Sequence, residues 1–457
     1  MAITIQQQPT SPGMANSDYL FAVTSNSSSQ PQYQFICDVY ISGSGTYVQR
    51  IKQQPNPSGT GVFNLGQIVH TYLESDNTWK TTRFVGATNV AKRFVVKFGE
   101  EYGTSLSSSI NTYDGITNAT TGIPAKTGSA YYYVANGLVE PYDAVNWNFP
   151  SASYYDAIAT PNATSFNYQN TLSNAPTTQS IQAGEYATIS LINGNFDGST
   201  TLAQDIYGVI YRGYDSNGTV VFSTTRRNST NLTGGVGPRT ASSQDWSVAV
   251  ANQTSSYTQL VTIGVGPQNL VDAGIGFDST VVYYEIIVGP QATSGGTTIN
   301  ETGSFANLRF NVEGPQCGYD GVRFAWKNEF GVWDYYTFTL QSDSAFAIQR
   351  QAYDQSFVNY STTSTTVSYD KQRRGTKQFY NALDQTRTAN SNWLTQAEAD
   401  WLRELFFSAD VYQQVGSDFF PIAITSANLV ERTNPRTQRT FQYQIEFKPA
   451  NQLRPRE

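Results

Sequence analysis

The stretch Val322–Leu340, VRFAWKNEFGVWDYYTFTL, decides the fold class. Val322, Phe324 and Trp326 alternate with Arg323 and Ala325, the period-two pattern of a strand. Lys327-Asn328-Glu329 breaks the pattern, Gly331 supplies a turn, and Val332–Phe338 resumes it. The stretch reads as two strands around a turn. So dense a set of aromatics needs a packed sheet to cover it. It is a fold signature and brings no catalytic group.

Outward from this hairpin the rest of the chain reads in the same way. Downstream, Thr395-Gln396-Ala397-Glu398 is a capping box, and Trp401, Leu402, Leu405 and Phe406 form the stripe of one amphipathic helix. Pro421–Thr425 and Thr440–Lys448 are strands; in the second, Phe441, Tyr443, Ile445 and Phe447 alternate with polar residues. Upstream, Tyr186–Ile192, Ile206–Tyr211, Thr219–Thr224, Gln259–Val265, Val281–Val288 and Leu308–Val312 are strands at sandwich spacing. Asn217-Gly218 marks a tight hairpin between two of them. Nearer the N-terminus, Gln34–Ile41 and Ala91–Tyr102 are strands. Between them Asn64 is placed to cap a short helix with Gln67 three residues on, and Leu65, Ile68, Val69, Tyr72 and Leu73 on one face.

These readings predict a mainly β chain of multidomain antiparallel β-sandwiches with a few short helices. Four segments are expected. Residues 1–30, polar and punctuated by Pro9 and Pro12, form an extended N-terminal arm. Residues 31–180 form a β domain with one short helix and a long loop region over 104–180. Residues 181–312 form a central β-sandwich, and residues 313–457 a C-terminal β-rich domain with the amphipathic helix.

Composition agrees with this class. Of 457 residues only 14% are charged, against about a quarter in an average chain, while 14% are aromatic and 30 are tyrosine. That aromatic content is too high for a disordered chain. A net charge of −7 argues against a nucleic-acid binder. The basic cluster Lys371, Arg373, Arg374 and Lys377 reads as a solvated loop, or as a contact for an acidic patch on a neighbouring subunit. No apolar window is long enough for a membrane helix, and the N-terminus lacks the pattern of a secretory signal. The chain is therefore expected to be made in the cytoplasm and to have no membrane partner.

The catalytic inventory is thin. His70 is the single histidine, and Cys37 and Cys317 lie far apart, so no zinc site of the usual kind is expected. The two cysteines read as buried free thiols, with a disulfide between them as the alternative. Asn193–Gly198, NGNFDG, imitates the start of a calcium loop, but Asn193 and Gln204 stand where acidic ligands belong, so it reads as a turn. The glycine pairs at Gly43/Gly45, Gly235/Gly237 and Gly274/Gly276 read as turns, since none opens a nucleotide-binding motif. Glu100-Glu101 and Asp334 are the carboxylates nearest to aromatic clusters, and a glycosidase would need such a pair; solvated or hydrogen-bonded strand-end carboxylates are the plainer reading. The sequons at Asn118, Asn162, Asn228, Asn300 and Asn359 are those that an Asn/Ser/Thr-rich chain produces by chance. Tyrosine clusters at Tyr131–Tyr133, Tyr154-Tyr155, Tyr283-Tyr284 and Tyr335-Tyr336 suit core packing, a subunit interface or a sugar platform. No catalytic, cofactor, metal or nucleic-acid-binding residue is assigned.

Three segments together carry a family resemblance. They are FICDVYISGSGTYVQRIKQQPNPSGTGVFNLGQIVHTYL (Phe35–Leu73), RFVVKFGEEYG (Arg93–Gly103) and VRFAWKNEFGVWDYYTF (Val322–Phe338). In this order they resemble structural proteins of tailed bacteriophages, especially crAss-like and related phages of Bacteroidetes. NWLTQAEADWLRELFFSADVY and the closing aromatic strand fit the same pattern, whereas the middle of the chain does not. The resemblance carries over no active-site residue. It implies a non-enzymatic virion component of the tail, neck or ring assembly, or one attached to the head. Its partners would be copies of itself and other virion proteins, in a symmetric oligomer. A chain without an export signal but with an exposed-protein surface fits a particle released by lysis. The alternative is a carbohydrate-binding receptor-recognition protein, a tail or head fibre that takes a host-surface glycan.

Overall fold

The computed structural model describes residues 3–9, 13–41, 46–82, 84–86, 89–103, 111–113, 132–137, 171–192, 206–227, 260–290, 292, 298–314, 319–356, 358–360, 363, 365–369, 372, 375–426 and 442–451. The fold is mainly β, in several largely antiparallel sheets, with three helices among the described residues. The chain divides into two compact units. One comprises Met1–Gly314 with Trp326–Tyr335, the other Pro315–Ala325 with Tyr336–Glu457.

The first unit begins with a sandwich. Ile3–Gln7, Leu20–Ser25 and Thr60–Asn64 form one antiparallel sheet. The other runs in the order Gly13–Met14, Tyr132–Ala135, Ala91–Tyr102, Gln34–Ile41, Gln49–Gln53, with Asn111–Tyr113 also paired to Ala91–Tyr102. Alternation places Phe35, Cys37 and Val39 from one strand and Phe94, Val96 and Phe98 from its neighbour on a shared inner face. They meet Phe21, Val23 and Phe63 of the smaller sheet. Phe21 packs edge-on to Tyr132 at 5.1 Å between ring centroids.

This overturns the extended arm expected over residues 1–30. Phe21 and Val23 are fully buried, and Met14, Ala15 and Tyr19 nearly so. Described polar residues such as Thr4 and Gln6 mark the outer face of a strand, and Pro9 follows the first strand. The short helix spans Gly66–His70, with Leu65 at its N-cap. Asn64 is not the cap: its Oδ1 accepts from Gly66 N at 3.1 Å and Tyr19 N at 3.1 Å, tying the helix entry to the second strand.

A second sandwich follows. Its larger sheet has the order Thr178–Gln182, Ala306–Glu313, Tyr283–Gly289, Gly208–Tyr214, Val220–Arg227. The first pair is parallel and the rest antiparallel. Its smaller sheet joins Thr188–Ile192, Leu260–Gly264 and Val85–Gly86. Tyr211 and Tyr284 are fully buried, and their hydroxyls donate to the carbonyls of Gly264 (3.0 Å) and Val265 (2.9 Å). Buried tyrosine is used here because its far end can satisfy such a carbonyl. The Asn217-Gly218 turn is present, with Gly218 at φ 77° and Asp215 Oδ1 accepting from Asn217 N and Thr219 N at 2.8 Å each.

The segments expected as 31–180 and 181–312 do not separate. Val85-Gly86 pairs with Val261 and Thr262. Asn269, on the helix Pro267–Asp272, is buried and donates to the carbonyls of Trp79 and Thr81 at 2.8 Å each while accepting from Ala187 N at 2.9 Å. The 76–86 segment is thereby stitched into the second sandwich.

The hairpin that opens the sequence reading is present as Val322–Lys327 and Trp333–Phe338. Its outer half, Trp326–Tyr335, belongs to the first unit. There Asn328 accepts from Phe330 N (3.0 Å) and Val332 N (3.2 Å) and donates to the Leu172 carbonyl at 2.8 Å. Gly331 takes φ 80°, and a Cβ there would lie 2.1 Å from the Asn136 carbonyl oxygen.

In the second unit the same sheet continues from Val322–Lys327 through Val411–Val415, Asp418–Ile424, Gln444–Pro449 and Thr376–Asn390 to Ser342–Asp354. The helix Gln396–Phe407 starts at the expected capping box: Thr395 N donates to Glu398 Oε2 at 2.8 Å, and Glu398 N returns to Thr395 Oγ1 at 3.3 Å. Trp401, Leu402 and Leu405 are its buried stripe, and Ile445 and Phe447 provide the core beneath the sheet.

Candidate functional site

The carboxylates singled out by sequence are structural in their surroundings. Glu100 and Glu101 are neighbours on one strand, so their side chains leave opposite faces. Glu100 is fully buried, and its Oε2 accepts from Ser25 Oγ and from Tyr33 OH (2.9 Å). Burial raises the Tyr33 phenol well above its ordinary value, with the Glu100 charge adding to the effect. Glu101 lies 2.5 Å from Lys52 Nζ, in ion-pair distance but off the line of a hydrogen bond. Two carboxyls on opposite faces of one strand cannot flank a common bond. Asp334 lies in a small cleft with Ser173, Thr188, Ser190 and Tyr335. The polar groups there are turned on one another: Ser173 Oγ donates to Asp334 at 2.8 Å, and Thr188 Oγ1 and Tyr335 OH lie 2.8 Å apart.

His70 ends its short helix, half-buried. Cys37 is a free, fully buried thiol, and burial raises its pKa. Among the described residues no cluster of three or more His, Cys, Asp or Glu is arranged to hold a metal ion. No helix among them is long and apolar enough to cross a membrane. Gly274 is a helix-end turn as expected, at φ 67°. Asn300 accepts from Gly303 N at 3.0 Å, and Asn359 is exposed on a short strand. Several expectations fall outside the described residues: Cys317, Lys371, Arg373 and Arg374, the NGNFDG segment with Gln204, the glycine pairs at 43/45 and 235/237, Asn118, Asn162 and Asn228, Tyr131 and Tyr154-Tyr155, and most of 104–180.

The tyrosine clusters go mainly into cores. Tyr132, Tyr284 and Tyr335 are buried. Tyr283 is half-exposed, but the Tyr214 ring stacks at 4.6 Å on the side of one neighbouring strand and the Arg309 guanidinium lies 3.8 Å away from the other. With both ring faces occupied it is no platform for a sugar.

The feature with no internal purpose lies in the second unit. Ser342–Asp354 and Thr376–Asn390 pair antiparallel from Ser342↔Ala389 to Asp354↔Thr376, with a bulge after Gln351. Arg387–Asn390 also pairs with the strand Gln444–Pro449 and is half-buried or buried. Beyond that base the two strands continue as a lone ribbon. All thirteen residues of Ser342–Asp354 are exposed. So are the described side chains of residues 376–384, Lys377 among them. Phe346 and Ile348 are 56% and 54% exposed, and Leu383 and Phe379 are 40% and 63%. A small outer hairpin, Val358–Tyr360 with Val367–Tyr369, follows, with Tyr369 exposed. A two-stranded ribbon is at best marginally stable alone, and large apolar side chains on it expose surface that water disfavours. Sequence reasoning passed over the ribbon because neither of its faces is buried, so it carries no apolar/polar alternation. The one available signal was Phe346, Ile348, Tyr353, Phe379 and Leu383 scattered among polar residues in a segment without glycine between 342 and 354.

No protein-family model matches this sequence, and a comparison with curated proteins finds no match either.

Proposed function

We propose that this chain is a non-enzymatic structural subunit of a tailed-bacteriophage virion, in the tail, neck or ring assembly, and that it works through protein–protein contacts. The observation that carries this reading is the ribbon of residues 342–390. A long, paired, apolar-bearing projection has no use in an isolated molecule and is suited to contact with another protein. The resemblance of Phe35–Leu73, Arg93–Gly103 and Val322–Phe338 to phage structural proteins supplies the setting. The buried carboxylates described above, each held by a neighbouring Ser, Tyr or Lys side chain, fit a chain whose polar interior serves stability.

The test is protein mass spectrometry of gradient-purified particles from a culture that carries the encoding genome. The expected result is this chain at several copies per particle, retained through high-salt washing. Its absence from the particles, with the chain found free in the lysate, overturns the reading.

A further inference from the structure

The two faces of the ribbon differ from each other in a complementary way. Residues directly opposite in a sheet share a face, and faces alternate along each strand. The pairs Phe346↔Gln385 and Ile348↔Leu383 put three large apolar side chains on one face. On the same face Ser344↔Arg387 and Arg350↔Asn381 place one arginine at each end of that patch. The opposite face is shallow and acidic: Ala345↔Thr386 and Ala347↔Asp384 carry two alanines, and Asp343↔Thr388 adds a second aspartate. Among the described residues neither Arg350 nor Asp384 has an ion-pair partner within the chain.

We propose that copies of this chain stack ribbon on ribbon, the Phe346/Ile348/Leu383 face of one against the Ala345/Ala347 face of the next. This rests on the assembly reading above and names the partner as a second copy. The geometry is specific. The arginines are six residues apart along the ribbon and the aspartates four, measured on the first strand. A stagger of two residues, about 7 Å, centres one pair on the other. Arg350 then comes within one residue and one strand of the neighbour's Asp384. Arg387, at the half-buried base, donates to Gln413 Oε1 of its own chain at 3.3 Å and comes as near to the neighbour's Asp343, so Arg350 and Asp384 are the pair that the contact depends on. Phe346 and Ile348 straddle the neighbour's Ala345, where no large side chain obstructs them.

Because the two faces of a contact differ, the contact is head-to-tail and must close into a ring or run on as a filament. The outer ribbon is about 30 Å long and 10 Å wide, so one contact covers roughly 300–400 Å² per copy, about half of a standard interface. A single contact is therefore weak. Assembly gains stability only when each copy uses both faces, so closed rings form at the expense of dimers.

The test uses the full chain and sedimentation velocity from 1 to 100 µM. Arg350→Glu and Asp384→Lys are made singly and together; both sites are exposed, and circular dichroism checks folding. The wild-type chain is expected to form one closed species larger than a dimer. Each single reversal is expected to raise the concentration for half-assembly at least tenfold. The double variant, and an equimolar mixture of the two single variants, are expected to restore assembly, which only a direct contact between these two positions does; a species larger than a dimer then marks the contact as head-to-tail. Oligomers insensitive to both reversals overturn the stacking while the assembly reading stands. Oligomers that respond to Arg350→Glu but not to Asp384→Lys overturn the head-to-tail arrangement. A wild-type chain monomeric at 100 µM also overturns the stacking, and the particle mass spectrometry then decides the assembly reading separately.

Discussion

At the scale of single residues the fold depends on polar side chains buried with a defined task. Asn328 is the clearest case. Its amide satisfies two N–H groups of its own turn and one carbonyl 156 positions away, at Leu172. Asn328→Ala removes three hydrogen bonds and leaves buried groups unpaired, so we expect a loss of about 2–4 kcal/mol in urea unfolding. Gly331→Ala is expected to cost as much by a different route. It adds a Cβ to a left-handed residue, about 1–2 kcal/mol by itself, and drives that atom into the Asn136 carbonyl. A Gly331→Ala variant with an unchanged urea midpoint would refute this. The Asp38–Arg50 pair makes a third case. Asp38 is buried, and both its oxygens accept from Arg50, at 2.7 Å each. Truncating Arg50 leaves the carboxylate buried without its partner. Because Arg50 is itself 30% exposed and water can enter, the expected cost is about 2–3 kcal/mol, at or below the low end of the range for fully buried pairs. The Cys37 thiol, raised in pKa by burial, is expected to resist alkylation at pH 8 until the chain is unfolded. Peptide mapping of native and denatured samples checks this, and rapid labelling of native Cys37 would contradict it.

At the scale of elements, what could be read in the sequence depended on whether an element has one wet face and one dry face. Ala91–Tyr102 and Gln444–Pro449 do, and their alternation of Phe, Val and Ile with charged residues announces them. The helix Gln396–Phe407 announces itself through its capping box and stripe. Leu20–Ser25 was hidden because serines, glutamines and prolines on either side resemble a solvated terminus, although Phe21 and Val23 are core residues. The ribbon was hidden for the opposite reason, since both of its faces are wet. Asp38 lies on the expected face of its strand, but its burial depends on Arg50 from the next strand. The partners of Asn269 are equally remote in sequence, at Trp79 and Thr81. The exposure of the ribbon has a consequence at this scale. Joining Ala345 to Thr386 through Asn-Gly, in place of 346–385, closes a cross-strand pair with a two-residue turn. Among the described residues it removes no buried side chain from the monomer. We expect the shortened chain to fold with stability within about 1 kcal/mol of the parent by urea unfolding. An insoluble or unfolded product would show that the ribbon supports the core of its own chain.

At the scale of the whole molecule the aromatic composition links stability to pH in one direction. Of the 30 tyrosines, five described ones have phenols raised above the ordinary value, each chiefly by burial and all in the first unit: the part-exposed Tyr214 to a smaller degree, and the buried Tyr19, Tyr33, Tyr132 and Tyr211 strongly. The physical cause is the absence of water to solvate a phenolate inside the two sandwiches. Below about pH 10 the phenols are protonated in both the folded and unfolded chain, so these residues leave stability independent of pH. Above pH 10 the unfolded chain sheds these protons and the folded chain holds them. The unfolded state then binds fewer protons, so stability falls as pH rises, by about 1.4 kcal/mol per pH unit for each of the four strongly raised phenols. Together these four can remove most of a typical 5–15 kcal/mol of stability within two pH units. The expected outcome is an abrupt alkaline transition that begins in the first unit. Followed by circular dichroism and by phenolate absorbance near 295 nm, the exposed tyrosines should ionise first, and a further set should ionise together with the loss of sheet structure. A titration in which every tyrosine ionises around pH 10 with the β-sheet signal intact would mean that these phenols are solvated, and that the two sandwiches are far looser than their close aromatic contacts require.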